Sequence, residues 1–223
     1  MIGLVLDQFA GVGLCDLIVV DGQSTDRTAA VAARHGAKLI SLSAGRGRQM
    51  NAGAAAAAGE HLLFLHADTI LPDGFVETIG RILARPSVAG GAFRLHIDAP
   101  GTLLRWIERL VHWRSRWWRL PYGDQGLFMT ARTFHRLGGF ADYPAMEDVE
   151  MIRRLRRIGR IELAPTAVLT SGRRWRQRGV WRTTMLNQLC IVAYRLGVAP
   201  QRIAVWRDGD CLNSDAVDAI RSP

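Results

Sequence analysis

The chain is predicted to fold as an α/β protein with a mostly parallel sheet flanked by helices. Short apolar runs alternate with helix-patterned segments, as in DLIVVD (16–21), Asp26–His35 and Ala37–Ser41, and such alternation builds parallel strands joined by crossover helices. Two of the runs stop at or just before a carboxylate, Asp21 and Asp68, where sheets of this class present their ligands. With 223 residues, 48% of them hydrophobic and 22% charged, the chain is long enough for a substantial core and ordinary for a globular protein.

Asp16–Asp21 is a β-branched strand, and the turn GQST leads into a helix over Asp26–His35 capped by Ser24 or Thr25. Ala37–Ser41 is the second strand. Gly45–Gly47 opens a loop, and the Ala-rich Gln49–Ala58 reads as a helix because Ala has the highest helix propensity. Leu62–Leu65, inside HLLFLHADTILP, reads as a buried parallel strand, followed by a helix over Asp73–Ala84. Ala89–Ile97 is another strand, and Thr102–Arg119 is an amphipathic helix rich in Trp and Arg. PYGDQG is a turn, Leu127–Thr130 a strand, and Ala131–Leu137 a short helix before GGF. Met146–Ile158 is a helix whose Glu147 and Asp148 suit the positive end of its dipole. A last helix covers Arg182–Leu196. No repeat or linker divides the chain, so residues 1–207 read as one domain and 208–223 as a C-terminal tail.

The formal charge is +9, from 29 Lys+Arg against 20 Asp+Glu, which favours polyanions, nucleotide phosphates or an anionic membrane surface. Cys15, Cys190 and Cys211 are odd in number and scattered. They form neither a CxxC spacing nor a disulfide framework, and predict reduced thiols in a cytoplasmic setting. MIGLVLDQFAG lacks the basic n-region and cleavage site of a signal peptide, and no apolar run approaches the roughly 18 residues of a membrane span.

The acids at loop positions carry the chemistry: Asp21, Asp68, Asp124 and the pair Glu147–Asp148. Mg²⁺ or Mn²⁺ takes oxygen ligands, often one or two carboxylates completed by substrate phosphates. A second carboxylate away from the metal can accept a proton from an attacking hydroxyl. A lone loop acid is more often a helix cap or simply solvated; five in this arrangement are harder to dismiss. The segment AGRGRQMNAG (44–53) offers Arg46, Arg48 and Asn51 to a phosphate or to sugar hydroxyls. It is not a P-loop, because the GxxxxGK[ST] order is absent. SGRRWRQRG (171–179) gathers Arg173, Arg174, Arg176 and Arg178 around Trp175, as a diphosphate clamp or as a solvated basic loop. A lone histidine such as His66 is more often a hydrogen-bonded structural residue than a ligand. The Trp106–Trp118 stretch is core or interface, although Arg–Trp alternation also fits an interfacial helix.

Taken in order, VVDGQSTDRT, GRGRQMNAG, FLHADTILP, YGDQG, GGF, MEDVE and GRRW resemble family 2 glycosyltransferases of the GT-A fold, from about Met1 to Trp206. The resemblance is greatest to the arsenosugar-biosynthesis-type branch. It implies a domain that transfers sugar, with inversion, from a UDP- or GDP-linked donor to the hydroxyl of a small-molecule or lipid acceptor. Asp21 would lie near the nucleotide base, and Asp68 would meet Mn²⁺ or Mg²⁺ on the donor diphosphate. Arg46, Arg48, Asn51, Arg174 and Trp175 would also serve the donor. Asp124 and Gln125 would line the acceptor pocket, and Asp148 would be the general base with Glu147 beside it. Nucleic acid would not be a partner; contact with the inner face of a membrane would fit. Two departures stand out. His66 occupies the position of the family's first metal-site acid. The family's first strand, with its Pro-x-x-Asn-Glu-like turn, is missing, so the chain is expected to start inside the following helix, at IGLVLDQF. Unpaired buried backbone groups beside that strand would cost about 1–3 kcal/mol each and would weaken folding or donor binding. The competing readings are a transferase-like fold without turnover and a basic module for nucleic acid or a membrane surface.

Overall fold

The structure, a computed structural model, describes residues 2–13, 16–43, 45–118, 121 and 123–208, with the backbone alone described at 114–118, 123, 174 and 208. Cys15, Cys211 and the predicted tail beyond 208 lie outside the described residues. First come α1 (Ile2–Asp7), β1 (Ile18–Asp21), α2 (Thr28–Arg34) and β2 (Lys38–Ser41). Next are α3 (Arg46–Ala56), β3 (His61–Phe64), β4 (Thr69–Ile70), α4 (Phe75–Leu83), β5 (Val88–Asp98) and α5 (Thr102–Trp118). A 3₁₀ turn at Gly123–Gln125 leads to β6 (Leu127–Thr130), α6 (Ala131–Arg136), α7 (Glu147–Ile158) and β7 (Arg160–Ser171). The described part closes with α8 (Arg173–Arg178), α9 (Val180–Arg195) and α10 (Pro200–Asp208).

The strands form two sheets, a pair β1-β2 and a five-stranded sheet in the order β3-β6-β5-β7-β4. The sheet expected to be mostly parallel is mixed. β1 with β2 and β5 with β7 run parallel, whereas β3–β6, β5–β6 and β4–β7 run antiparallel. Leu62–Leu65, read as a parallel strand, is therefore an antiparallel edge (β3) against β6. The cause lies in the excursion through α5. It brings the chain back alongside β5, where Gln125 Nε2 donates to Phe93 O in mid-strand at 2.9 Å. From there β6 can only run back down between β3 and β5, with Gly91 opposite Phe128.

No strand precedes β1 among the described residues, and β1 and β3 each have one edge without a strand partner there. Both strands are half-buried over much of their length, which leaves those edges nearer water than a central strand would be. The starts of the two strands are tied by Asp16 Oδ2, which accepts from Ala58 N at 2.7 Å. α1 also bridges the two sheets. Its Asp7 accepts from His35 Nε2 of α2 at 2.8 Å, and Gln8 just beyond it accepts from Leu71 N at 2.6 Å. The bond to Asp7, followed by that to Val31 O, raises the His35 pKa above its ordinary value.

The two faces of the five-stranded sheet bury separate clusters, and β6 shows the period-2 rule that divides them. Leu127 and Met129 join Met151, Ile152 and Leu155 of α7, while Phe128 turns the other way to Phe93, Val168 and the α4 residues Phe75, Ile79 and Ile82. β7 carries Pro165 in mid-strand, which a regular ladder would not tolerate. The ladder slips there: Ala92 faces Leu163 but Arg94 faces Ala167, and the proline sits in the bulge, where no donor is required.

One turn fixes α3 relative to α7. Asn51 of α3 donates to Phe140 O at 2.9 Å and accepts from Phe140 N at 2.8 Å. Arg154 of α7 pairs with Glu150 and donates to Leu137 O and, at 2.7 Å, to Gly139 O. Gly139 has φ +75°, and a Cβ there would lie 2.7 Å from Asn51 Oδ1, so the turn requires glycine. Asn51→Ala leaves both Phe140 backbone groups without this partner. It is expected to lower unfolding free energy by about 1–3 kcal/mol, read from urea denaturation without ligand.

Candidate active site

Beyond the end of β3, His66 O accepts from Thr69 N at 3.1 Å, and Asp68 O accepts from Ser171 N at 3.1 Å. The turn that carries His66 and Asp68 is thus closed on itself and fastened to the end of β7. Buried Thr69 lies opposite Thr170, with their Oγ1 atoms 3.3 Å apart. This short β4–β7 pairing aims Asp68 into a cavity of about 160 Å³. Asp124 reaches the same cavity from the 3₁₀ turn, and Asp148 reaches it from the first turn of α7.

The wall brings together, from distant parts of the chain, Asp68, Asp124, Asp148, Arg46 and Trp175 of the predicted site residues. Five expected residues, Glu147 among them, stand elsewhere, and a sixth falls outside the description. Asp21 is buried at the end of β1, both of its oxygens accepting from Ser24 N at 3.1–3.2 Å. Arg48 pairs with Asp142 at 3.3 Å, and both polar ends of Asn51 are engaged in the Phe140 clamp. Gln125 is fully buried against Phe93 O rather than on the wall. The Arg174 side chain lies outside the described residues. The wall also holds residues that the sequence did not single out: Thr170 and Ser171 from β7, Thr184, Asn187 and Gln188 from α9, and Arg207 from α10. Trp175 Nε1 and Thr184 Oγ1 are buried there without a hydrogen-bond partner among the protein atoms described. The site thus presents unsatisfied polar atoms on the same lining as its carboxylates.

The electrostatics follow from this crowding. Burial, then the Arg46 cation, lowers the His66 pKa, against the opposing pull of Asp124, Asp68 and Asp148. His66 is therefore neutral at neutral pH. Glu147 does not line the cavity; it stands behind the wall, 3% exposed, with Oε1 3.8 Å from Arg46 Nη1 and Oε2 unpartnered. Burial first, and then the Asp148 charge, raises its pKa. Adjacent helical residues point about 100° apart, so only one of the pair can face the cavity, and that one is Asp148. The pair is introduced by Met146, a non-glycine residue at φ +68°, a conformation that costs on the order of 1–3 kcal/mol and collects at functional sites.

Among the described residues no three His, Cys, Asp or Glu side chains converge closely enough to hold a metal ion by themselves. The oxygen donor set beside a neutral imidazole fits a hard cation only if a ligand supplies the remaining oxygens.

The sequence profile of glycosyl transferase family 2 matches residues 2–143. The chain belongs to that family. The matched span of this family 2 chain includes Arg46, Asp68 and Asp124, while Asp148, Trp175 and Arg207 lie past its end. No curated protein matches the chain in sequence. Among solved structures it is similar to glucosyl-3-phosphoglycerate synthase from Mycobacterium tuberculosis, in complex with Mn²⁺ and uridine-diphosphate-glucose. That match has 22% identity and TM-score 0.54, covering 76% of this chain and 64% of the synthase. S. aureus TarS 1–349, in complex with UDP-GlcNAc, matches at 16% identity and TM-score 0.59, over 76% of this chain and 54% of TarS. The mannosyltransferase PcManGT from Pyrobaculum calidifontis, in complex with GDP-Man and Mn²⁺, matches at 20% identity and TM-score 0.62, over 100% of this chain and 73% of PcManGT. At these identities the likeness is one of fold, and it makes this α/β family 2 chain a GT-A fold. The chain spans less than two thirds of the length of the first two of these proteins.

Two variants probe how the wall is held. Gly47, between Arg46 and Arg48, packs so closely that a Cβ would collide with Ala141 O. Gly47→Ala should therefore shift the start of α3, breaking the Arg46–Glu147 approach and lowering Tm. Glu147→Gln tests the buried charge. A carboxyl whose pKa is raised on folding supports stability below its unfolded value and loses that support as pH rises through the folded value. The variant's stability relative to the native protein should therefore rise as pH climbs above the ordinary glutamate value of 4.5, measured by thermal melts across the acid-to-neutral range.

Proposed function

We propose that this chain transfers a sugar from a nucleoside-diphosphate donor to an acceptor hydroxyl, with inversion at the anomeric carbon. The observation that carries the reading is the meeting of Asp68 and Asp148 with Arg46 and Arg207 on one cavity wall. Asp148 accepts the proton of the acceptor hydroxyl. The acceptor oxygen forms the new bond to the anomeric carbon as the bond to the diphosphate oxygen breaks. The diphosphate leaves with the bonding electron pair and the added negative charge. Arg46 and Arg207 supply fixed positive charge for that anion in a site partly shielded from water. Attack from the face opposite the leaving group is what inverts the centre. Mn²⁺ or Mg²⁺, when bound at Asp68 with the diphosphate, would neutralise charge on the leaving group.

The unpartnered Nε1 of Trp175 and Oγ1 of Thr184 suit hydroxyl-bearing ligands, which supports a sugar or polyol in the cavity. Asp21 is assigned to the nucleotide base. It closes β1, the strand packed under α3, whose first residue is Arg46. Arg174 is kept as a donor-side residue on the family resemblance, and His66 in place of an acid supports the narrower arsenosugar-type placement. The neighbours' complexes with UDP-Glc, UDP-GlcNAc and GDP-Man make UDP- and GDP-sugars the donors to try first.

Thermal shift with UDP or GDP, with and without Mn²⁺, tests donor binding, and a donor-consumption assay tests transfer. Asp68→Asn should lose the metal-dependent part of the shift. Asp148→Asn should keep nucleotide binding and lose about 10²–10⁴-fold in transfer. Full turnover in Asp148→Asn, or no shift with any nucleoside diphosphate, would overturn the reading. Donor binding with no turnover in the native chain would instead identify a transferase fold kept without catalysis.

A further inference from the structure

α9 is apolar on two sides. One side is buried: Cys190 and Ala193 pack with Ile203 of α10. The other carries Trp181, Met185, Leu189 and Val192, continued by Leu196 just past the helix, and all five are exposed, Trp181 by 67% and Leu196 by 80%. Their spacing of four, four, three and four residues keeps them on one stripe. A surface helix normally turns charge to water at such positions. α5 repeats the pattern. Leu104 and Ile107 are buried against β5, while Trp106, Leu110 and Trp113 face outward. Nine large hydrophobic side chains among the described residues are at least half exposed, and these two helices and the end of α9 hold eight of them. Contiguous apolar surface of this kind marks an interaction site.

The two helices touch and flank the same opening. α5 lines the cavity with Ile107 and Val111, and α9 lines it with Thr184, Asn187, Gln188 and Ile191. Gln188 is itself exposed, so it marks the rim, next along the helix to Leu189. The charges around the stripes are of one sign. Arg182 and Arg195 border the α9 stripe, and α9 contains no Asp or Glu. On α5, the Arg109 guanidinium lies 5.3 Å from the Trp106 ring centroid. The one acid of α5, Glu108, is turned inward to Ile97 N and Arg105.

We propose that the outward faces of α5 and α9 form one surface that docks on an anionic lipid bilayer, with the cavity mouth at the interface. Trp favours the headgroup level, apolar side chains enter the acyl boundary, and Arg meets anionic headgroups. The helices lie on the bilayer rather than cross it, since no helix among the described residues is long and apolar enough to span. The consequence for the site, which rests on the transferase reading above, is that the acceptor is a lipid-borne hydroxyl delivered along the surface to Asp148.

Co-sedimentation with phosphatidylcholine vesicles, with and without phosphatidylglycerol, tests the surface. The native chain is expected to bind the anionic vesicles, more weakly as salt rises. Trp181→Ser/Leu189→Ser should weaken binding by about tenfold or more. Arg182→Gln/Arg195→Gln should reduce the preference for phosphatidylglycerol while leaving circular dichroism unchanged. Absent binding by the native chain, or equal binding by both double variants, overturns the proposal. So does a native dimer that Trp181→Ser/Leu189→Ser makes monomeric without altering vesicle affinity, since a second copy would then cover the face. Vesicle binding without any nucleotide binding supports the surface and removes only the lipid-acceptor consequence.

Discussion

The candidate site hangs from the parallel pairing of β5 with β7, whose register runs from Val88–Arg160 to Asp98–Ser171. Several walls of the cavity can be traced to it. The last residues of β7 carry Thr170 and Ser171 inward, and Ser171 N holds the backbone of Asp68. From the middle of β5, Phe93 O holds Gln125 beside Asp124. α5 departs from the end of β5 and α8 from the end of β7, so two helical walls begin at neighbouring strand ends. The bulge at Pro165 adds residues to β7 before that point, and such bulges locally increase twist and re-aim the remainder of the strand.

On this frame the fold gathers like charges that would separate if left free. Three carboxylates face one cavity with a neutral histidine among them, while Arg46 and Arg207 supply the opposing charge. Glu147, buried behind Arg46 with one oxygen unpartnered, and Met146 in a left-handed conformation are both costly. Such costs persist where the surrounding structure over-determines them, as the Asn51 and Arg154 clamps on the 137–140 turn do here.

The carboxylates that line the cavity were legible because each follows an apolar run, lies in a glycine-bearing turn or opens a helix, all local patterns. The features that the sequence hid depend on distant partners. Asn51 reads as a ligand contact in a basic helix start, and only the fold brings Phe140 to its amide. Glu147 and Asp148 read as a pair until helical geometry turns one of them away. β7 was obscured by Pro165, whose bulge is a property of the ladder with β5. The segment Arg173–Arg178, read as a diphosphate clamp or a solvated basic loop, is a helix. Arg207 sits on a short helix without a marked apolar stripe, near a segment that read as tail. The mixed sheet followed from the route of the chain through α5, which strand and helix patterns do not encode.

Because the strands form two sheets rather than one, the β1–β2 pair and α2 hang on a few side-chain and packing contacts to the remainder. These include Asp16 with Ala58, Gln8 with Leu71, and the packing of α3 on β1. No backbone ladder among the described residues joins the two parts. That arrangement favours a sub-global opening, in which this corner exposes its amides at lower free energy than the central sheet. The Asp7–His35 link, which ties α1 to the corner, is complete below the ordinary histidine value of 6.5 and loosens as pH rises through the raised one. The hold on the corner bearing Asp21 thus weakens as protons leave His35.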